Sequence, residues 1–336
     1  MIQSVDDLYD RLKSVKVGSQ TCVFTREKCE EMWPVIQDIN RIKKEKNALI
    51  LAHSYVSPEL LLSVADFTGD SYELSRKARE SDADIIVFCA VKFMAETAKL
   101  LNPTKRVFIP TSLNGCTLAD SITGADVRKL RQQYPDFAFV CYINTTMEVK
   151  AECDVCVTSS NVYRIIEQIP NQNIYFLPDK LMAQNIIEHA KVHYPNKVIK
   201  YWDGACYVHE DYDADMVRYL KSEYDSLAVL AHPECSPEVV AVADFVGSTS
   251  QMLQHVKQTD ASAYFMLTEC GLTSRIQLEM PDKKFVGTCT MCRYMKSNSL
   301  DKVLQTLTTL PSQYEIQLSP DVQQKALKCI NEMFAY

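Results

Sequence analysis

Three cysteines, Cys116, Cys206 and Cys292, stand 90 and 86 residues apart in a chain of 336 residues. That spacing could bring one thiol from each of three repeats to a common metal. Cys116 lies in NGCTLAD and Cys206 in GACYVHE, turn-like contexts of small residues where a thiolate could approach iron closely. In CTMCRYMKSN, spacing leaves both Cys289 and Cys292 open, and the repeat alignment inclines to Cys292. Three thiolates suit a 4Fe-4S cluster in which one iron lacks a protein ligand. Such an iron is a Lewis acid for a hydroxyl or carbonyl oxygen. The chemistry it predicts is dehydration or condensation of small oxygenated anions, with Tyr, His and Glu moving protons.

The elements that must carry these groups repeat as well. LAHSYVSPELLLSVADFTGDS (Leu51 to Ser71) and LAHPECSPEVVAVADFVGST (Leu230 to Thr249) align with one gap. The middle copy, VCYINTTMEVKAECDVCVTSS (Val140 to Ser160), keeps the register: Tyr142 falls on His53, Asn144 on Tyr55, Asp154 on Asp66 and Ser159 on Ser71. This is an internal triplication. Each copy opens with a short apolar run, NALILA, FAFVCY or SLAVLA, which reads as a buried strand. A helix is expected from near Ser57, Thr145 or Ser236, and a second from Ser71, Ser159 or Thr249. Strands alternating with helices imply parallel sheets. The expected fold is α/β, with three three-layer αβα domains around a pseudo-threefold axis and the active site at that axis. Their expected bounds are 1–125 with the C-terminal helices 299–336, then 126–212, then 213–298.

Ligands of open α/β sheets sit beyond the carboxyl ends of the strands. The residues there are His53 and Tyr55, Tyr142 and Asn144, and His232 and Glu234. Ser71, Ser159 and Thr249 are N-cap residue types. Three helix N-termini facing one cavity would bind an anion through free N–H groups and the positive ends of the helix dipoles.

Composition bounds the partners. A net charge of −7 and no clustered Lys/Arg surplus argue against nucleic acid. MIQSVDDLYDRLKS has no apolar core of a secretory signal, and no run approaches the length of a membrane span. A cytoplasmic protein is expected, in which the thirteen cysteines are thiols or metal ligands rather than a disulfide framework. Cys89, Cys141 and Cys156 sit in apolar strands and read as core. A zinc ribbon from Cys153, Cys156, Cys289 and Cys292 would need far too long a gap between its pairs. No Walker or Rossmann fingerprint points to a nucleotide substrate.

Together the blocks HSYVSPE, ADFTGDS, FMAETAKLLNP, CYINTTMEVKAECDVCVTSSN, GACYVHE and HPECSPEVVAVADFVGSTSQM resemble the quinolinate synthase family, from about Asn47 to Lys296. The resemblance implies condensation of iminoaspartate with dihydroxyacetone phosphate to quinolinate, losing phosphate and water, in de novo NAD biosynthesis. It implies a 4Fe-4S cluster on Cys116, Cys206 and Cys292, one ligand per domain, and so prefers Cys292 over Cys289. Cys289 is similar to a neighbouring cysteine that has been proposed to form a redox-sensitive disulfide in some members. His53, Ser71, Tyr142, Ile143, Asn144, Ser159, His232, Pro233, Glu234 and Thr249 fall on substrate-binding positions, and Tyr55, Glu234 and His209 on proton-transfer positions. A functional link to the L-aspartate oxidase or dehydrogenase that makes iminoaspartate is also implied.

Two departures from the family pattern stand out. One extra residue follows His53, expected as a bulge between Tyr55 and Ser71, and Val56 replaces a usual polar residue. The triplicated diphthamide-type 3-amino-3-carboxypropyl transferases share the three-cysteine plan but not the HPEC or ADFxGDS blocks. A non-catalytic iron-sulfur sensor would need an effector domain, which the sequence does not offer.

Overall fold

The apolar runs become strands buried on both faces, as parallel strands covered by helices must be. Every residue of Ile85–Cys89 and of Ala138–Tyr142 is buried. The computed structural model describes residues 2–16 and 24–336, apart from the side chains of residues 71 and 72. Within it the chain forms two units, one of residues 1–115 and 261–317, the other of residues 116–260 and 318–336.

In chain order the first unit contains α1 (Val5–Leu12), α2 (Arg26–Glu45), β1 (Ala48–His53), α3 (Pro58–Ser63), β2 (Phe67–Gly69), α4 (Ser71–Glu80), β3 (Ile85–Cys89), α5 (Lys92–Leu101) and β4 (Arg106–Phe108). The second contains α6 (Gly124–Gln133), β5 (Ala138–Tyr142), α7 (Met147–Lys150), β6 (Val155–Val157), α8 (Val162–Gln168), β7 (Asn173–Leu177), α9 (Lys180–His193) and β8 (Val198–Tyr201). It continues through α10 (Tyr207–Glu210), α11 (Ala214–Glu223), β9 (Leu227–Ala231), α12 (Pro237–Val242), β10 (Phe245–Val246) and α13 (Thr249–Gln258). The chain re-enters the first unit with β11 (Ala263–Leu267), α14 (Cys270–Glu279) and α15 (Leu300–Thr309), and ends in the second with α16 (Pro320–Glu332).

The fold is α/β, with parallel sheets flanked by helices, as the alternation of strand and helix patterns leads one to expect. The first unit holds the parallel sheet β2-β1-β3-β4. The second holds β6-β5-β7-β8, with the same order of strands, and the parallel pair β9 and β10. Strand order reverses between β1 and β3 and between β5 and β7, so a ligand crevice is expected beyond the ends of β1 and β5.

One aspartate per repeat fixes the start of this pattern. Asp66 accepts the N–H of Ile50 at 2.8 Å, Asp154 that of Phe139 at 2.7 Å, and Asp244 that of Val229 at 2.8 Å. Each also donates its own N–H to the carbonyl of the same strand residue. Each is held by a cation from the helix before the strand: Lys43 at 2.7 Å, Arg131 at 2.7 Å and Lys221 at 2.6 Å. The same three-way contact thus recurs in all three rhyming segments and sets the second strand of each beside the first.

The first segment is one residue longer than the third, and the difference falls beyond the first turn of α3. Pro58 and Pro237 stand equally far from His53 and His232, and the added residue is taken up after α3, where Val64 and Ala65 both donate to the Leu60 carbonyl. Two of the second helices open at the expected residues, Ser71 and Thr249, each capped from the residue before. Asp70 accepts the N–H of Glu73 ahead of Ser71, and Ser248 with Gln251 forms a capping box ahead of Thr249. α8 starts at Val162 rather than Ser159, because a turn closed by Thr158 N–H to Asn161 Oδ1 at 2.7 Å comes first. Among the first helices, α7 is capped by Thr146 instead of Thr145, whose hydroxyl donates to the Tyr142 carbonyl.

Replacing Asp154 by Ala leaves the Phe139 N–H without its acceptor, which should cost about 1–3 kcal/mol. Urea unfolding is expected to show that loss for Asp154→Ala and a smaller one for Asp154→Asn, which keeps an accepting oxygen.

Candidate functional site

In the second unit, the strand-end residues converge on one carboxylate. β9 stops at Ala231, and the turn His232–Cys235 is clamped from α9 by Asn185, which donates to the carbonyls of Pro233 at 3.0 Å and Cys235 at 2.8 Å. The turn carries Glu234 into a site where it is only 2% exposed. Tyr142, at the end of β5, donates its hydroxyl to Glu234 Oε1 at 2.8 Å, and Asn144 donates to the same oxygen at 3.4 Å. His209, on α10, brings Nδ1 to 3.3 Å from Oε2, and His232 Nδ1 lies 3.4 Å from Oε1. The two imidazoles stack at 4.7 Å. The 3.3 Å approach lacks hydrogen-bond alignment, so Glu234 Oε2 is buried with no hydrogen-bond partner among the described residues.

Burial alone would push the Glu234 carboxyl up. The His209 and His232 imidazoles and the Tyr142 hydroxyl outweigh it and hold the group at about 2. Asp179, which caps α9 by accepting the N–H of Met182 at 2.8 Å, goes the other way. Burial and the nearby Glu234 charge raise it well above the usual carboxylate range, and its second oxygen is buried without a hydrogen-bond partner among the described residues. Two neighbouring carboxyls are thus driven apart, Glu234 toward the charged form and Asp179 toward the neutral one.

Cys206 caps α10 and is half-buried; burial, Glu234 and Cys116 raise its thiol well above its usual value. Gly204 is required beside it, since a Cβ there would come within 2.6 Å of the Pro178 carbonyl and 2.5 Å of Ser121 Oγ. The ligand atoms of Cys206, His209 and Glu234 lie within 4.8 Å of one another and could hold a cation. Cys116, also half-buried, adds a second soft sulfur close enough to act on Cys206 electrostatically.

In the first unit, His53 ends β1, is buried, and accepts the N–H of Tyr55 on Nδ1 at 3.2 Å, the turn that His232 and Glu234 repeat at 3.4 Å. The rings of His53 and Tyr55 meet edge to face at 4.7 Å, and the Tyr55 hydroxyl lies 2.8 Å from Thr268 Oγ1. Burial lowers His53 to about 4, helped by Arg275 and Lys296 and opposed by Asp70. Lys296 donates to the Tyr55 carbonyl at 2.5 Å and pairs with Glu269 at 3.0 Å, and Glu269 accepts the N–H of Cys292 at 3.0 Å. Gly271 allows this closeness, because a Cβ there would lie 2.6 Å from the Tyr55 backbone. Val56, the departure from the polar residue usual in the resembled family, is fully buried, where an apolar side chain is at home.

Ile143 and Pro233 are buried beside the Glu234 network, Thr249 is buried at the first turn of α13, and Ser159 is half-buried in the turn before α8. The Ser71 side chain and Cys22 lie outside the described residues. Cys89, Cys141 and Cys156 are buried in β3, β5 and β6. No disulfide framework is present among the described residues, but Cys289, the cysteine for which the resemblance implied a disulfide, is bonded to Cys270, with Cα atoms 5.3 Å apart, which also removes it from any zinc ribbon. Sequence reading passed over Asn185, Asp179, Glu269 and Lys296. Thr268 and Glu269 follow the apolar run AYFML, and Asp179 follows NIYFLP, so the strand-end rule extended to later strands would have found them.

The family model described as Quinolinate synthetase A protein matches residues 37–335. The quinolinate synthase of Sinorhizobium medicae is 42% identical over 331 residues, covering 98% of this chain and 88% of that one. That of Aquifex aeolicus is 42% identical over 311 residues, covering 90% and 94%. Quinolinate synthase 1 of Mesorhizobium japonicum is 40% identical over 333 residues, covering 99% and 98%.

His53 supplies a pH signature. Its folded value of about 4 lies below the ordinary imidazole value of 6.5, so the unfolded chain binds the extra proton in between. The stability that neutral His53 permits is complete above pH 6.5 and is lost as pH falls toward 4, by at most about 3 kcal/mol. Urea midpoints measured across that window should fall for the wild type and flatten for His53→Gln.

Proposed function

The chain belongs to the quinolinate synthetase A family, and from that premise we propose that it condenses iminoaspartate with dihydroxyacetone phosphate to quinolinate, releasing phosphate and water, for NAD biosynthesis. The observation that carries the reading is Glu234, a buried carboxylate kept charged by Tyr142, His209 and His232 beside Cys206.

The donor set fits an iron-sulfur cluster. Cys116 and Cys206 are neighbouring half-buried thiols whose mutual repulsion, and that of Glu234, a cation would relieve. Cys116, Cys206 and Cys292 would hold a 4Fe-4S cluster, and when bound it supplies a Lewis acid for a substrate oxygen.

The rest of the work falls to side chains. Glu234 accepts a proton from a substrate carbon or hydroxyl at Oε2, the oxygen left without a hydrogen bond, while Tyr142 and Asn144 fix Oε1. His209, against Oε2, gives a proton to a departing hydroxyl. Tyr55, oriented by Thr268, moves a proton during enolisation. His53, neutral because of its burial, donates or accepts a hydrogen bond without adding charge. Ser71, Ser159 and Thr249, with Asn144, Ile143, His232 and Pro233, bind the phosphate and carboxylates of the substrates. The near-total burial of Glu234, His209 and His232 keeps water from the reacting atoms.

The imine of iminoaspartate hydrolyses in water, so supply by an L-aspartate oxidase or dehydrogenase in the same cytoplasm fits the chemistry. No helix of the described residues is long and apolar enough to cross a membrane.

Anaerobically purified protein given iminoaspartate and dihydroxyacetone phosphate should form quinolinate; no quinolinate from cluster-loaded protein would overturn the reading. Glu234→Gln and Tyr55→Phe should each lower kcat by roughly 10²–10⁴-fold, the usual reach of a positioned acid or base. Unchanged turnover would remove those residues from proton transfer.

A further inference from the structure

Four thiols that the proposed reaction does not use meet inside the second unit. Cys141 lies on β5, directly opposite Cys156 on β6 in the parallel register. Cys153 stands two residues before β6, and Cys329, 188 residues beyond Cys141, comes from α16, which packs on α7 and β6. Cys141 and Cys156 are fully buried, Cys329 is 1% exposed and Cys153 9%. Cys141 is the hub. Its Sγ is 3.6 Å from that of Cys329, Cys156 is its register partner across the two strands, and Cys153 and Cys156 both lie close enough to act on its thiol. Buried cysteines are ordinary core residues when scattered; three sharing a fourth, drawn from two strands, a loop and a distant helix, are a built cluster.

We propose that this cluster is a thiol-oxidation site, in which a hydroperoxide converts Cys141 and Cys329 to a disulfide that ties the C-terminal helix to β5. The Cys141 sulfur attacks one peroxide oxygen, the O–O bond breaks, and the departing hydroxide takes up a proton to leave as water. Cys141 is then a sulfenic acid. The Cys329 sulfur attacks Cys141, the S–O bond breaks, a second water leaves and the S–S bond forms. Two thiols lose two electrons and two protons in all, and hydrogen peroxide is reduced to two waters.

The surroundings suit each step. The thiolate is the nucleophile in such chemistry. Burial opposes it at Cys141, but hydrogen bonds from Cys153, Cys156 and Cys329 and the charge of Lys150 outweigh that and hold the thiol well below its usual value. Lys150 is itself buried, fixed by the carbonyls of Ile143 and Thr145. One member of the cluster borders open space. Cys153 lines an open cleft of about 720 Å³ whose rim carries Arg131, Lys325 and Lys328. The site is separate from the Cys270–Cys289 disulfide of the first unit and does not depend on the function proposed above.

The test uses the intact, anaerobically purified protein. It is exposed to one equivalent of hydrogen peroxide, unfolded in excess alkylating reagent, and peptide-mapped without reduction. The expected product is a crosslinked Cys141–Cys329 peptide that dithiothreitol resolves, formed before the isolated buried thiols Cys29 and Cys89 react. In Cys329→Ser the crosslink should vanish and dimedone should trap a sulfenic acid at Cys141. Recovery of Cys141 and Cys329 as separate alkylated peptides, while Cys29 or Cys89 is oxidised, would overturn the proposal. A crosslink from Cys141 to Cys153 or Cys156 in its place would overturn the assignment of Cys329.

Discussion

A carboxylate removed from water stays ionised only if the protein replaces the solvation it has lost. For Glu234 the replacement comes from three directions, and much of the second unit follows from supplying them. Tyr142 must end β5, His209 must stand on a helix capped by Cys206, and His232 must precede the glutamate in a turn whose carbonyls Asn185 clamps. One carboxylate oxygen is fully engaged and the other is not, and that asymmetry turns a structural ion cluster into a candidate base. Asp179 is its complement, pushed toward the neutral acid by the very charge that the cluster protects.

The strands that end at these residues are placed by a simpler device. An aspartate pairs with a cation from the preceding helix and with both polar groups of one strand residue, and it does so in each repeated segment. The middle segment has diverged almost everywhere else, yet Asp154 and Arg131 remain. In the first unit the same frame delivers His53 and Tyr55, and the Glu269–Lys296 pair then joins the Tyr55 turn to the Cys292 segment. That pair acts on backbone atoms and so shapes the loop that bears a proposed cluster ligand.

Much of this was legible because it is local. Strand period, segment repetition and the rule that ligands meet strand ends identify His53, Tyr142, His232 and Glu234 without coordinates. Helix caps were missed by one or two residues, since Asp70, Ser248 and Asn161 compete with adjacent hydroxyls and the winner depends on turn geometry. Asn185, Glu269 and Lys296 act across long sequence separations, where spacing carries no signal. The thiol cluster hid for the same reason. Cys141 and Cys156 do read as core, but only the packing of α16 brings Cys329 to 3.6 Å from Cys141. The Cys270–Cys289 bond likewise joins a helix start to a loop that no repeat aligns.

The central claim is that Glu234 is a charged base in a dry site. Infrared difference spectroscopy of the wild type against Glu234→Gln, followed from pH 7 to pH 3, reads that charge directly. The account predicts a carboxylate stretch assigned to Glu234 that persists through pH 4, because the group is held at about 2. A protonated carboxyl stretch from Glu234 at pH 7 would contradict it.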